Sequence, residues 1–490
     1  MNLVDLPLFL KQFYLILLFL FFPHFTWAAA TSAPPNILII MTDDQGRWSL
    51  GEYDDRIVTP NIDYLANNGV RFDQAITPTP VCSAARASFY TGRLASQHGV
   101  HGVISKNGDR DDWLENERLI SEILDENGYR VGLFGKWHAD TRDWKPARGF
   151  HRWLSYDERA ASWINSYQHS GTVHFSRDGT PFQYTGIQAR YISESTVDFI
   201  DENDERPFAA FVNYVEPHWP FEGLPERLVS FYRDFANEIV SAGDTSSLQG
   251  AGNLEAQGAK ADHVEKLSQY LAAVTLVDEQ VGHLLDALEG RNLLKNTLII
   301  FTSDHGHLTG QYGLYGKGNA TIPQNLYQDS INIPLIVYGP KRLVVPGQVR
   351  NDFVNLYDVF PTLVEVINAG PQLKDYDGPG KSLLPLLRGE RVTAFRNFQF
   401  AEYGNTRMVH SGRWKLVRYY QKDASSSPKD YWYDLAHPLG ERFSVPPPSK
   451  SQQLQLIGAL EKFFETYETK EHSGRRIWDL PRQRAGQVWH

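Results

Sequence analysis

Four short apolar runs punctuate the chain, and each gives way at once to polar residues capable of chemistry. Asn36-Ile37-Leu38-Ile39-Ile40-Met41 leads into Asp43-Asp44-Gln45-Gly46, and Val131-Gly132-Leu133-Phe134 into Gly135-Lys136-Trp137-His138. Phe208 to Val215 reaches Glu216-Pro217-His218, and Thr297 to Phe301 ends at Ser303-Asp304-His305-Gly306. Near-continuous apolar runs of this length read as strands buried on both faces, as in a parallel sheet. Helical patterns alternate with them. Glu117 to Asn127 is amphipathic and stops at Gly128; Val264, Leu267, Leu271, Val274, Val281, Leu284, Leu285 and Leu288 mark a long helix closed at Gly290. The order predicts an α/β fold, a large mostly parallel sheet flanked by helices. Ligands bind such sheets at the carboxyl ends of the strands, so the four polar sets should converge on one edge.

Beyond about Gly370 the texture changes. Met408 to His410, Trp414 to Tyr420 and Tyr431 to Tyr433 read as short strands, and Phe463 to Tyr467 falls in a helix. The predicted division is a main domain over 31–370 and a small subdomain over 371–490 with an antiparallel sheet and a helix. Ser241 to Ala261, rich in Gly, Ser, Ala and Gln, reads as a mobile surface loop. Residues 1–30 read as a secretory signal: an apolar run from Phe13 to Phe22, preceded by Lys11, with a small-residue exit at Ala28-Ala29-Ala30. The run is too short for a membrane span, which predicts a secreted or periplasmic protein with no stable span after cleavage. An uncleaved anchor is the alternative.

Composition narrows the function. Among 490 residues, 48 Lys+Arg stand against 58 Asp+Glu, a net charge of −10 that carries no electrostatic footprint for nucleic acid. The single cysteine, Cys82, cannot close an intrachain disulfide. It also excludes thiolate zinc clusters and iron–sulfur centres.

Cys82 opens the stretch Cys82-Ser83-Ala84-Ala85-Arg86-Ala87-Ser88-Phe89-Tyr90-Thr91-Gly92-Arg93. This resembles the signature of the formylglycine-dependent (type I) sulfatases of the alkaline-phosphatase-like superfamily: a Cys, a Pro or Ala two later, an Arg four later, then Thr-Gly. The four polar sets resemble further family segments and occur in family order, with Pro217-His218-Trp219-Pro220 in the third and Lys317 beyond the fourth. Tyr433-Asp434-Leu435 with Gly440-Glu441 resembles the family's C-terminal segment. Ala84 stands where Pro is commoner, and Val131 and Phe134 where the family usually carries small or hydroxyl residues.

The same residues make chemical sense. Asp43, Asp44 and Asp304 offer hard oxygen donors suited to Ca²⁺ or Mg²⁺. Alone, an Asp-Asp pair after a strand reads as a helix cap with a solvated neighbour. A sulfate monoester needs positive charge on its oxygens, a nucleophile behind sulfur and an acid for the leaving alcohol. Arg86, Lys136, His138, His218 and Lys317 are the candidate cations. Taken singly each is an ordinary surface cation or core histidine; at strand ends together they read as a site.

The resemblance implies the rest. It makes Asp43, Asp44, Cys82, Asp304 and His305 the metal set, with calcium the expected ion and Mg²⁺ or another divalent ion the alternative. It implies that a maturation enzyme oxidises Cys82 to formylglycine, whose hydrate attacks sulfur and then expels sulfate. It assigns His218 and Lys317 to the leaving oxygen, His138 to the second hydroxyl, and Lys136 and Arg86 to orientation and charge. Trp153, Trp163, Tyr167 and Trp219 suggest sugar stacking, hence a sulfated carbohydrate substrate, although core packing competes for most of them. Arg482 to Arg484 reads as a solvated basic face. Two rivals stand beside the sulfatase: a phosphodiesterase or phosphonate monoester hydrolase of the same superfamily, and a non-catalytic protein that binds sulfated glycans.

Overall fold

The computed structural model describes residues 33–142, 144–157, 168–242, 262–423, 425–437, 440–484 and 489. The predicted signal, Trp163, Tyr167 and all but the first two residues of the Ser241–Ala261 loop lie outside the described residues; Ser241 and Ala242 end a helix.

The four apolar runs are adjacent strands of one sheet. Its strands are β1 (Asn36–Thr42), β2 (Val70–Phe72), β3 (Arg130–Gly135), β4 (Arg152–Tyr156), β5 (Thr172–Arg177), β6 (Thr180–Thr185), β7 (Phe208–Asn213), β8 (Thr297–Ser303), β9 (Leu335–Tyr338) and β10 (Gln348–Arg350). Their order is β10-β2-β9-β8-β1-β7-β3-β4-β5-β6. The central pairs β8–β1, β1–β7, β7–β3 and β3–β4 are parallel, while β9 and the β5–β6 hairpin run antiparallel. All residues of β1, β3, β7 and β8 are buried, as runs without alternation require.

Register brings the chemistry together. Thr42 pairs with Ser303, so the next residues, Asp43 and Asp304, leave neighbouring strands side by side. Gly135 pairs with Asn213, which sets Lys136 beside the start of the Glu216-Pro217-His218 turn. Gly135 has a φ of +108°, and a Cβ there would sit 2.0 Å from the Asn213 carbonyl oxygen, so only glycine lets β3 and β7 close this gap.

Helices cover both faces: α1 (Pro60–Asn67), α2 (Cys82–Thr91), α3 (Ile120–Glu126), α4 (Gln188–Ile200), α5 (Glu226–Ala242) and α6 (His263–Gly290). The helix expected from Glu117 begins at Ile120, where the Glu122 carboxylate accepts from the Leu119 N–H and caps the first turn. The α6 pattern behaves as expected, and Gly290 is its last residue. One core lies on each side of the sheet.

A second, four-stranded antiparallel sheet, β11 (Gln399–Tyr403), β12 (Thr406–His410), β13 (Trp414–Tyr419) and β14 (Lys429–Asp434), packs against α7 (Lys450–Tyr467) through Leu416, Leu456, Leu460 and Phe464. Residues 35–490 form one compact unit that includes the two larger sheets. Trp153 is core, edge-on to Trp137 and Phe150, and does not offer a face to a sugar. Among the described residues no helix is long and apolar enough to cross a membrane.

Candidate active site

Cys82 is the first residue of α2, a helix whose ten residues are all buried. Small side chains at Ala84, Ala85 and Ala87 let the helix sink into the core, while Tyr90 packs on Trp137 and Phe211. Helical periodicity puts Arg86 on the face of Cys82 one turn along. The thiol therefore lies where unpaired N–H groups favour negative charge.

Three elements converge on the Cys82 Sγ. It donates to Asp43 Oδ1 at 3.3 Å, and lies 3.0 Å from Lys317 Nζ and 3.3 Å from His305 Nε2. His138 makes a further side-chain hydrogen bond to it. Burial raises the thiol, but Lys136, Lys317 and His305 outweigh it and hold Cys82 well below the usual thiol range.

The carboxylates and cations interlock. Arg86, wholly buried, gives Nε to Asp304 Oδ2 at 3.0 Å, holds Nη2 3.5 Å from Asp43 Oδ2, and donates Nη1 to the Lys136 carbonyl at 2.8 Å. Lys136 pairs with Asp43, and Lys317 with Asp44 Oδ1 at 2.6 Å. His218 Nε2 stands 3.8 Å from Asp44 Oδ2 while its Nδ1 meets the Trp219 carbonyl. His138 also places Nε2 3.2 Å from the Ile104 carbonyl. Asp44 (φ 66°) and His138 (φ 48°) both occupy the left-handed region, which non-glycine residues enter at a cost of about 1–3 kcal/mol.

The charges respond to one another. Burial raises Asp304, and the facing Asp43 carboxylate raises it further against His305 and Arg86. Burial would lower His305, but Asp304 and Cys82 prevail and it is raised to about 9. Burial also works against Asp44, yet Lys317 and the surrounding histidines hold it below the usual carboxylate range.

All ten residues expected at the site are thus gathered at the carboxyl ends of β1, β3, β7 and β8 and on the helix and loop facing them. Others have no counterpart in the expectations. His307 brings Nδ1 within 3.5 Å of Asp44 Oδ2 and stacks on Tyr270 at 5.8 Å, and burial lowers it to about 4, so it is neutral. Tyr270, from the middle of α6, donates to the Asp44 carbonyl at 2.9 Å and accepts from the Gly46 N–H at 3.1 Å. Asn213 donates to the Lys136 carbonyl at 2.8 Å. His307 was within reach of reading, two residues past His305; Tyr270 gave no signal, because an apolar helix face is a sufficient reason for it.

The residues fit a divalent cation. Donor atoms of Asp43, Asp44, Cys82 and His305 lie within 4.8 Å of one another and are buried. The Asp304 Oδ1 accepts from the Asp44 N–H at 3.3 Å. Three carboxylates this close raise one another's proton affinity unless positive charge joins them, and hard oxygens favour Ca²⁺ or Mg²⁺. As a ligand His305 must be neutral, so taking up a cation there releases its proton.

Comparison with known proteins agrees with this geometry. The family model described as Sulfatase matches residues 35–369, and one described as N-sulphoglucosamine sulphohydrolase, C-terminal, matches residues 310–453. The chain is 29% identical to an uncharacterised sulfatase of Escherichia coli, over 74% of this chain and 71% of that protein. It is 27% identical to an arylsulfatase of Clostridium perfringens, over 75% of this chain and 81% of the relative. Among solved structures, one of a protein in complex with its substrate D-glucosamine-2-N,6-O-disulfate superposes with a TM-score of 0.72 at 21% identity. That likeness covers 89% of this chain and 99% of the other.

Proposed function

This chain belongs to the sulfatase family of the alkaline-phosphatase-like superfamily and is a sulfuric ester hydrolase, and from that premise we propose that it hydrolyses sulfate esters of a carbohydrate at Cys82. The observation that carries the assignment of Cys82 is its Sγ, buried among Asp43, His305 and Lys317 within 3.3 Å at a helix start. A structural cysteine sits among apolar neighbours; this one sits among charges.

Asp43, Asp44, Asp304 and His305 would hold the divalent ion, calcium being the expected species, beside Cys82. The cation supplies positive charge for sulfate oxygens, and formylglycine made from Cys82 by a maturation enzyme supplies a hydrated carbonyl as nucleophile. The chain's own residues do the remainder. Lys136 and Arg86 fix Asp43 and Asp304 so that the carboxylates face inward. Lys317 and His218 flank Asp44 where the ester oxygen departs, and one of them returns a proton to the leaving alcohol. His138, bonded to residue 82 and braced by the Ile104 carbonyl, takes the proton from the residue 82 side. The buried wall of β strands and α2 excludes bulk water, which strengthens each of these charges.

Support for a sugar substrate comes from Trp219, 44% exposed and next to His218 in the chain, a side-chain type that stacks on pyranose rings. The named substrate of the superposed structure is a sulfated sugar. Export is part of the proposal, resting on the apolar run before Pro23 and the Ala28-Ala29-Ala30 exit. Mass spectrometry of the peptide holding Cys82 tests the core claim: conversion of thiol to aldehyde is expected, together with complete loss of sulfate release in Cys82→Ala. A wholly unmodified thiol in active enzyme refutes it. Faster turnover of phosphonate or phosphate diesters than of sulfate esters transfers the chain to the rival reading.

A further inference from the structure

The C-terminal subdomain reaches the catalytic site through one buried ion pair. Lys415 on β13 and Glu441, past the end of β14, are both buried, with Nζ 2.6 Å from Oε1. Each bonds beyond the other. Lys415 Nζ donates to the Leu326 carbonyl and to Gln328 Oε1 at 3.2 Å, and Glu441 Oε2 accepts from the Gln328 N–H at 2.5 Å. The period of a strand puts Tyr419 on the same face of β13 as Lys415, and its hydroxyl donates to the Gln324 carbonyl at 3.1 Å. Residues 324, 326 and 328 are thus fastened to the second sheet.

The segment so held carries Asn325, and Asn325 holds Lys317. Its Nδ2 donates to the Lys317 carbonyl at 2.9 Å, its N–H donates to the Gly318 carbonyl at 2.9 Å, and its Oδ1 accepts from Ser330 Oγ at 2.8 Å. Lys317 stands between a two-residue strand, Tyr315–Gly316, and a single 3-10 turn, Gly318–Ala320, so no long element fixes its backbone. From that loop the side chain brings Nζ to 3.0 Å from Cys82 Sγ and 2.6 Å from Asp44 Oδ1. The same segment also touches the metal set, because the Ser330 carbonyl accepts from the N–H of Gly306 at 3.0 Å, next to His305.

Burying two opposite charges costs desolvation, and apolar side chains of similar volume stabilise a core as well or better. What this pair offers instead is a donor and an acceptor for main-chain groups of an irregular loop, which apolar side chains could not satisfy. We propose that Lys415 and Glu441 are positioning residues for Lys317: through Leu326, Gln328 and Asn325 they fix the backbone from which its ammonium reaches the leaving oxygen. The inference rests on the placement of Lys317 at that oxygen. It makes the C-terminal subdomain part of the catalytic apparatus, although neither residue touches substrate. Misplacing a reacting group by about 1 Å, through a change far from the chemistry, can cost about a hundredfold in rate.

The test compares kcat/KM for 4-nitrophenyl sulfate, whose leaving oxygen needs little help, with that for phenyl sulfate, whose leaving oxygen needs more, on the matured, metal-loaded full chain. Lys317→Met sets the scale and should raise the ratio of the first to the second by about tenfold. Changing one member of the pair would strand the other charge, so the variant carries Lys415→Met together with Glu441→Gln. It should raise the ratio by about threefold or more, at wild-type metal content. Added to Lys317→Met, the same two changes should leave the ratio within about twofold, because the group they position is gone. A general weakening of the fold lowers both rates together, so an unmoved ratio in the pair variant overturns the inference. A further rise in the triple variant overturns it too, as does loss of metal, which would place the effect at Gly306 and His305. A ratio unmoved by Lys317→Met itself overturns the placement of Lys317 on which the inference stands.

Discussion

Replacing Arg86 by Met keeps most of the side-chain volume and removes the charge on which two carboxylates rest. The guanidinium makes three contacts: to Asp304 at 3.0 Å, toward Asp43 at 3.5 Å and to the Lys136 carbonyl at 2.8 Å. The third is cheap to lose, because Asn213 still donates to the same carbonyl. The other two are not. Breaking a wholly buried ion pair from one side costs about 3–5 kcal/mol, mainly through the charge left behind. Asp304 has an escape, since burial and Asp43 already raise its proton affinity and it can take up a proton. Asp43 keeps Lys136. The net expectation is therefore the lower end, about 3 kcal/mol, a loss of more than a hundredfold in the folded-to-unfolded ratio. Arg86→Lys should recover part of it, with one point charge unable to span both carboxylates. Chemical denaturation at pH 7 measures the cost, and metal content by elemental analysis should fall in parallel. An Arg86→Met protein that unfolds with wild type and retains its metal refutes the claim that this guanidinium organises the carboxylates.

Three further expectations test other parts of the structure. Asp278 on α6 accepts from the N–H groups of Asn61 and Ile62 at the start of α1, and burial raises it to about 7. A carboxyl whose folded pKa lies above its unfolded value near 3.8 loses stability as pH rises between the two, so wild type should lose roughly 2–3 kcal/mol relative to Asp278→Asn from pH 5 to pH 8. Parallel stability curves for the two proteins over that range exclude this. Gly135→Ala would drive a Cβ into the Asn213 carbonyl at a φ of +108° and should cost about 3 kcal/mol or more; a soluble protein with wild-type melting contradicts it. Trp219→Ala should raise KM for a sulfated sugar about tenfold, the worth of one stacked ring. A fall in kcat at constant KM would instead make Trp219 a brace for His218.

Much of this architecture was legible because burial on both faces of a parallel sheet leaves an unbroken apolar run, and β1, β3, β7 and β8 are four such runs. Their polar sequels had to share an edge once the strands were parallel; Cys82, Arg86 and Lys317, which lie on no such sequel, were expected from the family resemblance. The flanking strands were less visible. β5 mixes buried and exposed positions without strict alternation, β6 has no buried position, and β2 and β10 span three residues each, too few to show a period. β11 went unread because its five buried residues, Gln399 to Tyr403, mix polar and apolar types. Gln399 and Glu402 are buried there only because their partners, the Gln74 carbonyl and Ser96, arrive from more than three hundred residues away.

The same reasoning explains why Tyr270 and Gln483 escaped. Local pattern reports what a residue does for its own element, and both serve another. Tyr270 satisfies the apolar face of α6 and also fastens the backbone of Asp44 and Gly46. Gln483 lies in a stretch of charged and polar residues that, by composition alone, belongs to solvent. It is buried instead, because its amide satisfies backbone groups of Gly99 and His101 that would otherwise lack these partners. One buried amide thus fastens a basic stretch to the loop whose Ile104 carbonyl meets His138. Gln483→Leu should therefore leave the Gly99 carbonyl and the His101 N–H unpaired and cost about 1–3 kcal/mol for each group so left, read as a lower midpoint in chemical denaturation. An unchanged midpoint in Gln483→Leu would mean that those two backbone groups find other partners and that the amide does not fasten the segment.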